Sequence, residues 1–305
     1  MHDSAGEGVA VGFFDGVHLG HQAILRGAAA ALTFRDHPLA VVRPESAPRL
    51  IMPTDERLAT LRSLGLKEVV AMEFTPGLAA MEARDFAIGI LLPLASRHTA
   101  PGRRPLVRCG ENWRFGKAAR GDAALLRELG FEVAVVPFAM FKGERVSSTR
   151  IREAIERGAV DEAAAMLSRP WILRGRIAKG KGLGGKLGFP TLNVIPDGLQ
   201  LRLPRGVYAA EFAGSRAVAN FGRAPTLGDA AWNADVLEAH LLEPGQAGAP
   251  LPTPGDPAEI ALIRRIRDER RFDSLDELAA QIARDCRDAG LASHPQASAA
   301  AAIMV

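Results

Sequence analysis

Two histidines three residues apart, His18 and His21, follow an apolar run and a glycine-containing turn in the string GFFDGVHLGHQ, just ahead of an Ala/Leu-rich stretch. A helix that starts there presents unpaired backbone N–H groups and the positive end of its dipole to an anion. Two imidazoles on one side add donors that can follow charge as it builds on a phosphate. Gly16 and Gly20 let the backbone approach such a group closely, and Gly12, Phe14 and Asp15 belong to the same phosphate-binding loop, with Asp15 read as the residue that fixes the turn. Two histidines in a polar loop would share the spacing, and it is the strand-to-helix context that favours phosphate. Later, VSSTRIR supplies the hydroxyls of Ser147, Ser148 and Thr149 and the guanidiniums of Arg150 and Arg152. Ser148 or Thr149 can cap a helix running to Arg157 and ended by Gly158, and paired arginines can fork onto phosphate oxygens. Taken alone, that segment describes a capped surface helix.

A second set of chemically suggestive residues lies in GKGLGGKLGFPTLNV. Gly180, Gly182 and Gly188, with Gly184, Gly185, Lys181 and Lys186, can offer backbone N–H groups and charge to ATP, although the GK[ST] spacing of a Walker loop is missing. Thr191 and Asn193, two apart on a strand, point to one face and provide two oxygens suited to a hard cation such as Mg²⁺. In LEAHLLE, alternation puts Glu238 and His240 on the face opposite Leu237, Ala239 and Leu241.

The elements that must position these groups follow two textures. Gly8 to Phe14, the Ala/Leu-rich Gln22 to Leu32, Leu106 to Cys109, Asp122 to Gly130 and Phe131 to Pro137 have the cadence of a doubly wound parallel α/β sheet. After a helix over Val160 to Leu167, short β-like runs take over (Trp171 to Ile177, Gly206 to Phe212, Arg216 to Phe221, Val236 to Leu242), divided by Gly and Pro turns, which predicts a β-barrel. A closing helix is signalled by Ser274 and Glu277 as a capping box, Leu278 and Ile282 one turn apart, and Gly290 beyond the end. The Ala/Ser-rich Ala292 to Val305 carries no amphipathic pattern and is expected to be a disordered tail.

The chain has 305 residues, room for about two domains, with 48% hydrophobic and 24% charged residues, so it can bury a core and is neither disordered nor fibrous. The net charge of +3 is too small for a nucleic-acid partner, while the basic balance suits anionic small ligands. The apolar run Ile88 to Ala95 is too short for a membrane span, and Met1 to Gly8 is acidic, unlike a secretory leader. Two cysteines, Cys109 and Cys286, form no CxxC or Cys/His cluster, so the cytoplasm is the expected compartment.

GFFDGVHLGH, CGENWRFG and VSSTRIREAIERG, followed in order by GFPTLNV, PRGVYAA, VANFGRAPTLG, LEAHL and IRDERRFDSLDELAAQI, resemble the bacterial bifunctional riboflavin kinase/FMN adenylyltransferase (FAD synthetase) family over nearly the whole chain. The resemblance implies a nucleotidyltransferase domain of the HxGH type at 1–168, a six-stranded-type β-barrel kinase domain with a terminal helix at 169–291, and a tail at 292–305. It implies that riboflavin and ATP give FMN in the barrel and that FMN and ATP give FAD and pyrophosphate in the first domain, with Mg²⁺ serving both. By the same resemblance His18 and His21 hold and polarise the ATP phosphates, Asn112 lies by the nucleotide and flavin phosphates, and Ser147, Ser148, Thr149 and Arg150 bind the triphosphate. Thr191 and Asn193 are the expected metal ligands from their spacing, and by the resemblance Glu238 is the base toward the ribityl hydroxyl. The protein is expected to act on small molecules as a monomer or weak homo-oligomer, without nucleic-acid or membrane partners.

The sequence departs from the family pattern at Phe13, where an Asn is usual, and in TFRDHP, where Asp36 replaces a proline. Only eleven residues, 22 to 32, separate His21 from Thr33, roughly a dozen fewer than the pattern. That leaves three outcomes: a shortened first helix, a lost segment, or an impaired adenylyltransferase. The Pro/Gly-rich run after Glu243 predicts altered loops at the substrate edge. The remaining alternatives are a riboflavin kinase whose first half is degenerate and a flavin-binding regulator without turnover.

Overall fold

The computed structural model describes residues 6–179, 191–223, 235–242, 252–270 and 275–290. The glycine-rich loop with Gly180, Gly182 and Gly188, residues 243–251 of the Pro/Gly run, Ser274 and the tail 292–305 lie outside the described residues; the rest of that run is described, and its Pro257, Ala258 and Glu259 begin a barrel strand rather than a loop. The chain divides into two compact units, Met1–Ser148 and Thr149–Val305. That division differs from the expected boundary at residue 168 by the two helices in between.

The first unit holds a parallel sheet of β1 (Val9–Val11), β2 (Ala30–Phe34), β3 (Glu68–Met72), β4 (Leu106–Gly110) and β5 (Glu132–Val136), in the order β3-β2-β1-β4-β5. Alternation along the inner strands builds one core on each face. Val9, Val11, Ala30 and Leu32 pack with Phe86, Leu91, Val107, Leu126 and Phe131, whereas Ala10 and Ala31 pack with Phe14, Leu25, Met52, Leu58 and Leu61. Burial on both faces is what a parallel sheet requires, and it explains the continuous apolar runs. The strand order reverses direction between β1 and β4, and in open α/β sheets the crevice for ligands opens at the carboxyl ends of such neighbours.

The Gln22 to Leu32 stretch is not one helical run. α1 spans Leu19–Leu25, Arg26 and Gly27 turn the chain with Gly27 at φ 76°, and β2 begins at Ala30 in register with Val9. The short link is therefore met by a seven-residue helix, and β2 keeps its full pairing to β1 and β3. α2 (Thr54–Ser63) follows, buried through Arg57, Leu58 and Leu61, and α3 (Ala123–Glu128) starts at Asp122, whose carboxylate accepts from the Leu125 N–H.

α4 (Ser148–Glu156) and α5 (Val160–Leu167) precede the barrel, and α5 packs on its strands. The barrel is closed, with β6 (Trp171–Ala178), β7 (Thr191–Pro196), β8 (Gly206–Phe212), β9 (Ser215–Arg223), β10 (Asp235–Leu241) and β11 (Pro257–Arg267) paired in the order β8-β9-β10-β7-β6-β11. Leu192, Val194, Ala219, Phe221, Leu237 and Ala239 are buried on one face of the wall. Gly175 lets two strands touch, since a Cβ there would sit 2.0 Å from the Ile195 carbonyl oxygen. On the other face, α6 (Leu275–Gly290) covers Val207, Ala209, Val218 and Ile263 with Ala289. Gly290 ends this helix from inside it rather than beyond it, and its carbonyl accepts from Arg216.

Candidate active site

The loop after β1 is a tightly constrained turn. Phe14 adopts a left-handed conformation (φ 58°), Gly16 follows at φ 78° and Val17 at φ 43°, a costly conformation for a β-branched residue that must be held from outside. The holding groups are visible. The buried Asp15 carboxylate accepts from the Ile51 and Met52 N–H groups at 3.2 and 3.3 Å, so Asp15 fixes the turn and does not face outward as a ligand. Gln22 donates to the Val17 carbonyl at 2.9 Å, and Ser148 Oγ donates to the Asp15 carbonyl at 3.2 Å. Of the two cap candidates, Ser148 and Thr149, both lie inside α4 rather than before it; Ser148 is its first residue, and its hydroxyl joins the two motifs that the sequence places 133 positions apart.

His18 is the N-cap of α1, its Nδ1 accepting from the His21 N–H at 3.3 Å, a role normally taken by Ser or Asp. The two imidazoles stack with centroids 3.5 Å apart, and the buried Phe14 ring meets His21 edge-on at 5.3 Å. Gly20 leaves the space this needs, because a Cβ there would lie 3.1 Å from His18 Cε1, and Gly12 does the same for the Phe14 ring at 2.9 Å. Asn112 is exposed just past the carboxyl end of β4, beside Gly110, so the histidine loop and Asn112 leave the two strands that flank the switch point. Ser147 precedes α4. Thr149 and Arg150 are counted with the second unit, where Arg150 Nη2 lies 3.6 Å from Glu162 Oε1, an ion pair with which a phosphate would have to compete.

In the barrel, strand register does the assembling. Asn193 on β7 lies opposite Glu238 on β10, which lies opposite Asn220 on β9, and in the next row Thr191 lies opposite His240. Thr191 Oγ1 and His240 Nδ1 are 2.9 Å apart. All five alternate with the buried apolar residues of their strands, so they share the face that α6 partly covers. Burial raises the Glu238 carboxyl above its ordinary value, with Glu269 adding to the effect, and burial lowers His240. Glu269 reaches this wall over Gly222, where a Cβ would stand 2.8 Å from its Oε1.

Thr191 and Asn193 fit a hard cation in donor chemistry: two neutral oxygens on adjacent outward positions of one strand, beside a carboxylate, leaving the remaining sites to phosphate and water. Sequence reasoning missed Asn220, although alternation in VANFG puts it on the polar face. It also missed Arg57, for which no local signal exists.

A five-stranded parallel sheet with a histidine-bearing helix start at its switch point, followed by a closed barrel with a Thr/Asn/Glu wall, defines a chain with a nucleotidyltransferase-type unit and a separate barrel unit. Residues 1–150 match the family described as FAD synthetase, and residues 167–292 the family described as riboflavin kinase. A relative from Escherichia coli (strain K12), the bifunctional riboflavin kinase/FMN adenylyltransferase, is 34% identical over 90% of this chain and 89% of its own. The protein of the same description from Bacillus subtilis (strain 168) is 28% identical over 92% and 90%. A solved structure from Streptococcus pneumoniae, titled as a macrolide-efflux protein, superposes with a TM-score of 0.77 at 26% identity, covering 94% of this chain and 95% of that one. The chain belongs to the bifunctional riboflavin kinase/FMN adenylyltransferase family.

Proposed function

We propose that the protein makes FAD from riboflavin in two ATP-dependent steps, one in each unit. In the barrel, the 5′-hydroxyl oxygen of riboflavin attacks the γ-phosphorus of ATP, the bond to ADP breaks, and the hydroxyl proton passes to Glu238. A carboxyl raised by burial is a stronger base than one in water, and its place on a strand fixes its direction. In the first unit, an FMN phosphate oxygen attacks the α-phosphorus of a second ATP and pyrophosphate leaves. His18, His21 and the N–H groups that open α1 neutralise the charge on the transferring group, with Ser147, Ser148, Thr149 and Arg150 binding the triphosphate and Asn112 the flavin and nucleotide phosphates. Such a reaction asks for alignment and charge neutralisation more than for a strong base.

Thr191 and Asn193 would hold Mg²⁺, which when bound neutralises the ATP phosphates. The glycine-rich loop with Gly180, Gly182 and Gly188 would close on ATP. The modest net charge and scattered cysteines support a cytoplasmic enzyme of small molecules, acting as a monomer or weak homo-oligomer without nucleic-acid or membrane partners. Among the described residues no helix is long and apolar enough to cross a membrane.

The observation that carries the reading is the register that sets Asn193 and Glu238 opposite each other with Thr191 and His240 alongside. Against a degenerate first half stands the geometry of the short link: a seven-residue α1 is complete with His18 and His21 at its start, and β2 keeps its register with β1. The test is chromatographic analysis of the flavins made by purified protein with ATP and Mg²⁺, starting once from riboflavin and once from FMN. FAD is expected in both. FMN alone from riboflavin would mean a kinase with a disabled partner unit, and flavin binding without ATP consumption would mean a regulator.

A further inference from the structure

We infer that Arg57, on α2, is a positioning residue for adenylyl transfer, holding the loop that carries His18 and His21; the inference rests on the reading of those histidines given above. Arg57 is fully buried. Its Nη1 donates to the Phe13 carbonyl at 2.8 Å and to Thr33 Oγ1 at 2.9 Å, and its Nη2 donates to the carbonyls of Phe34 and Arg35, both at 2.8 Å. The Phe13 ring lies on the guanidinium at 4.2 Å, and the His37 ring closes on Phe13 edge-on at 4.8 Å. One side chain thus joins the exit of β1 to the end of β2, and it bonds to Phe13 and to Thr33, Phe34 and Arg35 of TFRDHP, two of the segments where the sequence departs from the family pattern.

A buried cation is expensive unless its hydrogen bonds are made; here both Nη atoms are satisfied while Nε is not, and Asp15 and Asp36, though not in direct ion pairs with it, favour its charge. Desolvation lowers it to about 10, so it stays charged at neutral pH. The geometry suits arginine and no other residue, because four acceptors in two directions match the planar fork and cannot be met by a single ammonium. The connection to the chemistry is short. Fixing the Phe13 carbonyl fixes the left-handed Phe14 that follows, and the Phe14 ring is the edge-on neighbour of His21. With α1 only seven residues long, these tethers supply support that so short a helix cannot give alone.

The experiment compares full-length Arg57→Lys, Arg57→Met and Thr33→Val with Leu126→Ala, a fully buried residue of the core on the opposite face of the sheet, which serves as the control for plain destabilisation. Each is assayed for FAD formation from FMN, for riboflavin phosphorylation, and for thermal unfolding. Arg57→Met should lower kcat for FAD formation by about 100-fold, as displacements of about 1 Å do, with KM for FMN within about twofold and riboflavin phosphorylation unchanged. Arg57→Lys should recover melting temperature but not kcat. Thr33→Val, nearly isosteric, should fold and lose a smaller part of kcat, and it decides the question if Arg57→Met does not fold. Native kcat in Thr33→Val and Arg57→Lys, or an equal kcat loss in Leu126→Ala, would overturn the inference. A His21→Ala protein assayed alongside separates the two levels: if it still makes FAD, the reading of the site falls and the inference with it, whereas if it is inactive while the Arg57 variants keep native kcat, the inference alone falls.

Discussion

Glu238 and Gly20 show how different the demands on single residues are in the two units. Glu238 has a role that depends on the proton it accepts, so Glu238→Gln keeps the shape and most hydrogen bonds and removes the base. FMN formation should fall by about 10²- to 10⁴-fold, the usual worth of a positioned base, while FAD formation from supplied FMN stays near wild type. Flavin chromatography of both reactions checks this, and a normal kinase rate would remove Glu238 from the role. Gly20 contributes by having no side chain. Alanine there suits a helix better, so Gly20→Ala should not lower the melting temperature, yet its Cβ would press on the His18 ring from 3.1 Å. FAD formation should drop by about tenfold or more with phosphorylation untouched. A variant with wild-type FAD synthesis would show that the stacked imidazole pair tolerates displacement.

At the scale of elements, α6 is tied to the barrel by a buried polar network. Asp285 accepts from Arg267 Nε at 3.0 Å and Nη2 at 2.6 Å and from Gln281 at 2.7 Å, and Gln281 in turn accepts from Arg270 and Arg284. Removing one partner strands the other, so Asp285→Ala should cost about 3 kcal/mol, read as a fall in the denaturation midpoint. A midpoint unchanged within error would mean that the pair contributes nothing net. The same α6 is legible from its amphipathic spacing, as are the barrel strands other than β11, because alternation survives wherever one face is buried; β11 is hidden by the Pro/Gly run that leads into it and by its three arginines and glutamate. Where the pattern was silent, the reason is physical. EVVAM is too short and too mixed to stand out as β3. In α2 the fully buried residue that matters most is an arginine, which any pattern places outside, and its partner Phe13 lies 44 positions away. The change from helix to strand inside Gln22 to Leu32 is hidden because alanine serves both alike; Gly27, with its left-handed φ, marks it. Candidate ligands paired by register, such as Thr191 with His240, became visible as pairs only once the barrel closed.

For the molecule as a whole, two chemistries in separate units predict complementation. Neither Glu238→Gln nor His21→Ala protein alone should turn riboflavin into FAD, but a mixture should, since the FMN made by the second is substrate for the first. Failure of the mixture, with each half-reaction intact, would mean that FMN passes only within one molecule. The compressed link between β1 and β2 also bears on the order in which the sheet is assembled. Val9 meets Ala30 across a small chain excursion, whereas its other neighbour, Val107, is nearly a hundred residues distant. Closing the smaller loop forfeits less chain entropy. In pulsed hydrogen exchange during refolding, amides of Ala30 to Leu32 should gain protection before those of Leu106 to Gly110. The short link then acts as an accelerator, drawing the nucleotide loop and its first flanking strand together while the rest of the sheet is still being gathered.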